Sequence, residues 1–311
     1  MNRTRWNRLY LGILRPGAIR AFSLLLIFCS GIAPAGGAEL KIDASPQDSA
    51  LIRDIINKDL LRLESILKIY YPDTINIIIA YDRRSFDMAA GAILPDWGAA
   101  VAIKEKKLII IKSPNFFDIG KNLEELLAHE LGHLVLERAS GGRWLPRWFE
   151  EGFCQLISGE WRFEQDILLM RAVWGSGLIP LAALEDVNRF GGAKAALAYA
   201  ESYLAVSSLG RDLGMDFFAD FLPLYRESGN FYQSFFNSSG YKFAEWVSLW
   251  QEKTHQRYRF VLFIFDSRLL FPLLAIAIIL LYFIKRWQTR KKRKQWERQE
   301  KLFGNDQGFP T

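Results

Sequence analysis

The spacing of hydrophobic positions changes along this chain, and the change orders its elements. In "SALIRDIINKDLLRLESILKIYY", Ser49 to Tyr71, leucine and isoleucine recur at helical intervals, which predicts an amphipathic helix. "TINIIIAYD", Thr74 to Asp82, is a short continuous apolar run of the kind that forms a buried strand. "WGAAVAIKEKKLIIIKSP", Trp97 to Pro114, reads as two strands joined by a tight polar turn near Glu105 and Lys106, a hairpin with its lysines on the exposed side. From Asn122 onward the spacing turns helical and stays so to Lys253. Strands first and helices afterwards predict an α+β domain, a small N-terminal sheet beside a helical half.

Two apolar runs fall outside that domain. "AFSLLLIFCSGIA", Ala21 to Ala33, follows five arginines and precedes the small residues ending at Ala38, the layout of a secretory signal. An uncleaved anchor is the other reading, but the run is shorter than the ~20 apolar residues a span needs. "LLFPLLAIAIILLYFI", Leu269 to Ile284, is unbroken, and as a helix it covers about 24 Å, close to a bilayer core. A dense basic cluster follows at once, which marks the cytoplasmic side of a span. The expected layout is a signal over 1–38, an extracytoplasmic domain over 39–258, a transmembrane helix over 259–284 and a basic cytoplasmic tail over 285–311. That makes a single-pass protein of the cytoplasmic (inner) membrane, with the lipid bilayer as the partner of its C-terminal helix.

Charge supports this division. The formal net charge is +6, yet residues 1–38 and 285–311 hold fourteen of the 40 basic residues and three of the 34 acidic ones. The middle keeps 26 bases against 31 acids, so it is mildly acidic and a nucleic-acid partner is excluded. Of the two cysteines, Cys29 lies in the signal, so Cys154 stands alone and reads as a small buried hydrophobe.

The candidate chemistry sits in "LAHELGHLV", Leu127 to Val135. Asn122 followed by Glu125 forms a capping box that starts the helix at Leu123, and Ser140, Gly141 and Gly142 end it. Between Leu126 and Leu136 the only ionisable residues are His129, Glu130 and His133. Burying them in so apolar a helix is costly unless each finds a partner or a metal. Residues i and i+4 share a helical face, so both imidazoles can reach one ion. Glu130 lies about 100° around the helix, beside that face, where it can serve as general base.

An open zinc site needs a third ligand. The extended-histidine version of the motif is excluded, because its positions hold Leu136 and Ala139. Glu137 lies a further turn along, and three successive turns of a straight helix cannot converge on one ion. After the short loop "SGGRWL", Pro146 suits the first turn of a second helix, "PRWFEEGFCQLIS", on which both Glu150 and Glu151 come within reach. Gln155, one turn after Glu151, is placed to hydrogen-bond a ligand imidazole.

His129-Glu130-Leu131-Gly132-His133 followed by Trp148-Phe149-Glu150-Glu151-Gly152 resembles the HExxH…WxxEG pattern of gluzincin metallopeptidases, the aminopeptidase-like branch often called peptidase MA. The close resemblance runs from Leu123 to Ser158. It implies a thermolysin-like catalytic domain, one Zn2+ per chain held by His129, His133 and Glu151, and Glu130 activating the attacking water. In that family the glutamate just before the glycine is the third ligand, which selects Glu151 over Glu150. "YAESYLAVSSL", Tyr199 to Leu209, resembles the segment whose first tyrosine stabilises the oxyanion, which implies that role for Tyr199, with Tyr203 as second choice. The family's amine-binding glutamate has no match in "GAILPDW", Gly91 to Trp97. The resemblance therefore implies an extracytoplasmic peptidase acting on a peptide or protein substrate, as an endopeptidase rather than an aminopeptidase. The alternative from another class is a membrane-tethered binding or assembly protein that keeps the fold without turnover.

Overall fold

The computed structural model describes residues 38–91, 98–113, 117, 122–265 and 267–303. The stretch read as a signal lies outside them up to residue 37, as does all of "GAILPDW" after Gly91. Strand β1 (Leu40–Asp43) leads into helix α1 (Pro46–Leu67), strand β2 (Ile75–Ala80) and helix α2 (Arg83–Ala90). Strands β3 (Ala100–Ile103) and β4 (Leu108–Lys112) follow. The remainder is helical: α3 (Leu123–Ser140), α4 (Arg147–Ser158), α5 (Phe163–Trp174), a 3-10 segment Leu181–Arg189, and α6 (Gly192–Leu213). Four more helices complete it: α7 (Asp216–Ser228), α8 (Phe231–Ser239), α9 (Phe243–Phe265) and α10 (Ser267–Phe303).

The sheet runs β1-β2-β4-β3, with β3 antiparallel on the edge and the other three strands parallel. Side chains alternate across it. Ile75, Ile77, Ile79, Ile109 and Ile111 enter the main core with α1 and α3, while Ala80, Leu108 and Ile110 meet Phe86 of α2 on the other face. Cover on both faces is why the run at β4 carries no polar alternation. Lys106 is exposed as expected, but two other hairpin lysines depart from that side. Lys112 is buried against the Phe86 ring at 4.9 Å, and Lys104 is half-buried against Glu150.

Within α10, Phe271–Arg298 is long and apolar enough to cross a membrane. Every residue of that stretch is exposed, so no part of the described protein covers its leucines and isoleucines.

One buried carboxyl group stands out in the helical half. Glu201 of α6 is fully buried, and both its carboxylate oxygens lie 3.0 Å from the Ile179 N–H. Burial pushes its carboxyl up to about 8, against a smaller lowering by the Ile179 N–H. The folded chain therefore holds this proton where the unfolded chain has released it. The stabilisation is complete below the unfolded value near 4.5 and is lost as pH rises to about 8. Glu201→Gln should accordingly match wild type in thermal unfolding at pH 4.5 and exceed it at pH 8, by on the order of 2–4 kcal/mol.

Candidate metal centre

His129 and His133 stand one turn apart on α3, their ring centroids separated by 5.1 Å. Asn122 fixes the start of this helix, its side chain accepting from the Glu125 N–H at 2.7 Å. Gly141 and Gly142 end it at φ +67° and +71°, a left-handed pair that side-chain-bearing residues rarely adopt. The chain reverses and re-enters as α4. Pro146 is the N-cap of that helix rather than its first residue, and lacks a side-chain cap. Glu185 compensates by accepting from the Arg147 backbone N–H at 2.9 Å.

Opposite faces of α4 do different work. Trp148, Phe149 and Phe153 pack into an aromatic cluster, with Phe149 5.3 Å from Phe221, Phe153 5.1 Å from Phe218 and Trp148 stacked on Trp246 at 5.9 Å. Edge and offset contacts of this kind lock the rotation of the helix. That rotation turns Glu150 and Glu151 toward α3. Two glycines set the distance. A Cβ at Gly132 would lie 3.0 Å from the Cys154 sulfur, and one at Gly152 would lie 2.2 Å from the Ser202 carbonyl oxygen of α6. The second obstacle is backbone and cannot swing aside. Gly152→Ala should therefore cost at least about 1–3 kcal/mol in denaturant unfolding and displace the neighbouring Glu151.

Among the described residues, His129, His133 and Glu151 form the one group of three whose ligand atoms all fall within 4.8 Å of one another. Glu151 Oε2 lies 3.5 Å from His129 Nε2 and 4.0 Å from His133 Nε2. Ligands about 2.0–2.1 Å from a tetrahedral zinc stand about 3.3 Å apart, which the Glu151 distance to His129 approaches. Two imidazoles and one carboxylate are also a donor set that suits this ion. The three side chains are 12–13% exposed, enough to meet solvent on one side only.

The ring nitrogens facing away from that point meet carboxylates. His133 Nδ1 hydrogen-bonds Glu150 Oε1 at 2.8 Å, and Lys104 pairs with the same oxygen. His129 Nδ1 lies 2.9 Å from Glu160 Oε1, bent off the N–H axis. Gln155, expected in this position, is buried with its Oε1 lacking a hydrogen bond among the described residues. The sequence offers Glu150 only as a ligand, and Glu160 carries no spacing signal, since it sits past the end of α4 and reaches His129 through the fold.

Glu130 is buried beside the pair. Tyr199 lies near Glu151, Glu130 and Arg147. Tyr203 is stacked on Trp161 at 4.4 Å, and the charges around it are Asp166 and Arg257. Of the two tyrosines, only Tyr199 is brought to the histidine–glutamate group.

Burial works against charge at both His129 and Glu151, and their mutual contact overrides it. Contacts with Glu151 and Glu160 hold the His129 imidazole up at about 10 despite burial. Likewise His129, with His133 and Arg147, brings the buried Glu151 carboxyl down to about 2. Burial raises the phenol of Tyr199, and the charge of Glu151 adds to that.

The family model described as the Peptidase MA superfamily matches residues 57–256, more than half of the 311-residue chain. The match runs from within α1 to within α9 and includes every residue of the group above. No curated protein matches the chain.

Proposed function

The chain belongs to the peptidase MA superfamily, and from that premise we propose that it is a membrane-anchored zinc metallopeptidase cleaving internal peptide bonds outside the cytoplasm. The observation that carries the reading is the convergence of two imidazole nitrogens and one carboxylate oxygen beside a buried glutamate. His129, His133 and Glu151 would hold the ion, which supplies Lewis acidity toward a water and the scissile carbonyl. Glu130, rotated off the ligand face, takes the proton of the attacking water and delivers it to the leaving amine. Tyr199 donates a hydrogen bond to the carbonyl oxygen as negative charge develops there, strongest in the transition state. Its raised pKa keeps that proton available at neutral pH.

Glu150 and Glu160 keep each imidazole turned, Nε2 toward the ion. The edge strand β3 supports internal cleavage. It packs beside α3, and its end continues into Lys104, which contacts Glu150. An extended peptide pairing with this edge would be drawn past the site without needing a free amino end. The exposed apolar stretch of α10, with basic residues from Lys285 onward, supports anchoring in the inner membrane with the tail inside.

The test uses the full chain in detergent. Zinc per chain is measured beside cleavage of an unstructured protein and of a peptide with a blocked amino end. One zinc and cleavage of the blocked peptide are expected. Absence of any bound divalent metal sinks the metallopeptidase reading; cleavage confined to free amino ends sinks the endopeptidase part.

A further inference from the structure

Glu151 presents its two oxygens to different partners. Oε2 faces the histidine Nε2 atoms at 3.5 and 4.0 Å, whereas Oε1 lies 3.1 Å from an Arg147 guanidinium nitrogen. Arg147 is one turn before Glu151 on α4, and its backbone N–H is fixed by Glu185 at 2.9 Å. Tyr199 lies near the same guanidinium. A charge-assisted hydrogen bond between arginine and carboxylate is strong and directional, and it competes with a metal for the oxygen it occupies.

We propose that Arg147 is a positioning residue that confines Glu151 to one-oxygen ligation. The inference rests on the zinc-site reading given above. With Oε1 engaged, Glu151 offers a single oxygen, and His129, His133 and that oxygen leave a fourth position for water. A carboxylate free to use both oxygens would take up that room. The usual reading of such a pair, an i,i+4 ion pair stabilising a helix, predicts no change at the metal when it is removed.

The experiment is X-ray absorption of the zinc-loaded full chain in detergent, as wild type and as Arg147→Met. Wild type should show four near neighbours of nitrogen and oxygen. Arg147→Met, which keeps the stem and removes the donor, should gain about one oxygen neighbour as Glu151 becomes bidentate. Arg147→Lys, which restores a cation without the fork, should fall between them. An unchanged neighbour count in Arg147→Met overturns the inference. Should that variant fail to fold, wild type still decides: a bidentate carboxylate there, with five or more neighbours, overturns it as well. A wild-type chain that takes up no zinc removes the metal-site reading itself, and this inference with it.

Discussion

Glu130→Gln should leave zinc content at one per chain and lower kcat on an unstructured protein by roughly 10²–10⁴-fold, the range general acid–base catalysis supplies. The amide fills the same volume and keeps a polar atom beside His129, so folding and metal uptake should survive. What it cannot do is accept a proton from water. Zinc content by plasma emission and turnover by fluorescence release check the two halves separately. Parallel loss of zinc and activity would mean that Glu130 is a structural partner of the histidines. Full activity with intact zinc would move the protein toward the tethered, non-catalytic alternative.

The second large effect is at Glu151. Glu151→Ala removes one of the three proposed ligands and leaves the Arg147 guanidinium without its 3.1 Å partner. Losing a group that merely orients a ligand costs about 10–100-fold in metal affinity. Glu151→Ala should exceed that range, and Glu150→Ala, which frees His133 Nδ1 and Lys104, should stay within it. Competition with a chelator measures both. Added zinc should raise the unfolding temperature of wild type and of Glu150→Ala, through binding to the folded state, but not that of Glu151→Ala. The reverse ranking would exchange the roles of the two glutamates.

The parts of this structure legible in the sequence are those set by local rules. Asn122, Gly141 and the apolar run between them define α3 because capping and helical period act over a few residues. The short loop forces α4 against α3, and the i,i+4 spacing puts both imidazoles on one face. The β3–β4 hairpin is readable for the same reason. What escaped is short or non-local. Strand β1 is four residues long and gains its identity only by pairing with β2. Helix α2 has eight residues and buries only Phe86. Lys112 looks solvent-facing in a strand pattern, and its burial follows from Phe86 arriving from another element. Glu160 meets His129 across 31 positions of sequence, a contact that no spacing rule anticipates. The separation of Tyr199 from Tyr203 likewise depended on Trp161, which claims Tyr203 by stacking.

The ring of groups around the two histidines has a consequence in simple charge balance. Glu130, Glu150, Glu151 and Glu160 bring four negative charges, and Lys104 and Arg147 return two positive ones. With neutral imidazoles the assembly is two units negative inside a largely buried pocket, where an unbalanced charge is expensive. A divalent cation brings the total to zero; a monovalent one does not. In the proposed site, selection for charge two would thus be shared between the ligand Glu151 and groups that do not touch the ion, and that outer share would persist through changes of ligand geometry that alter which divalent metal binds best.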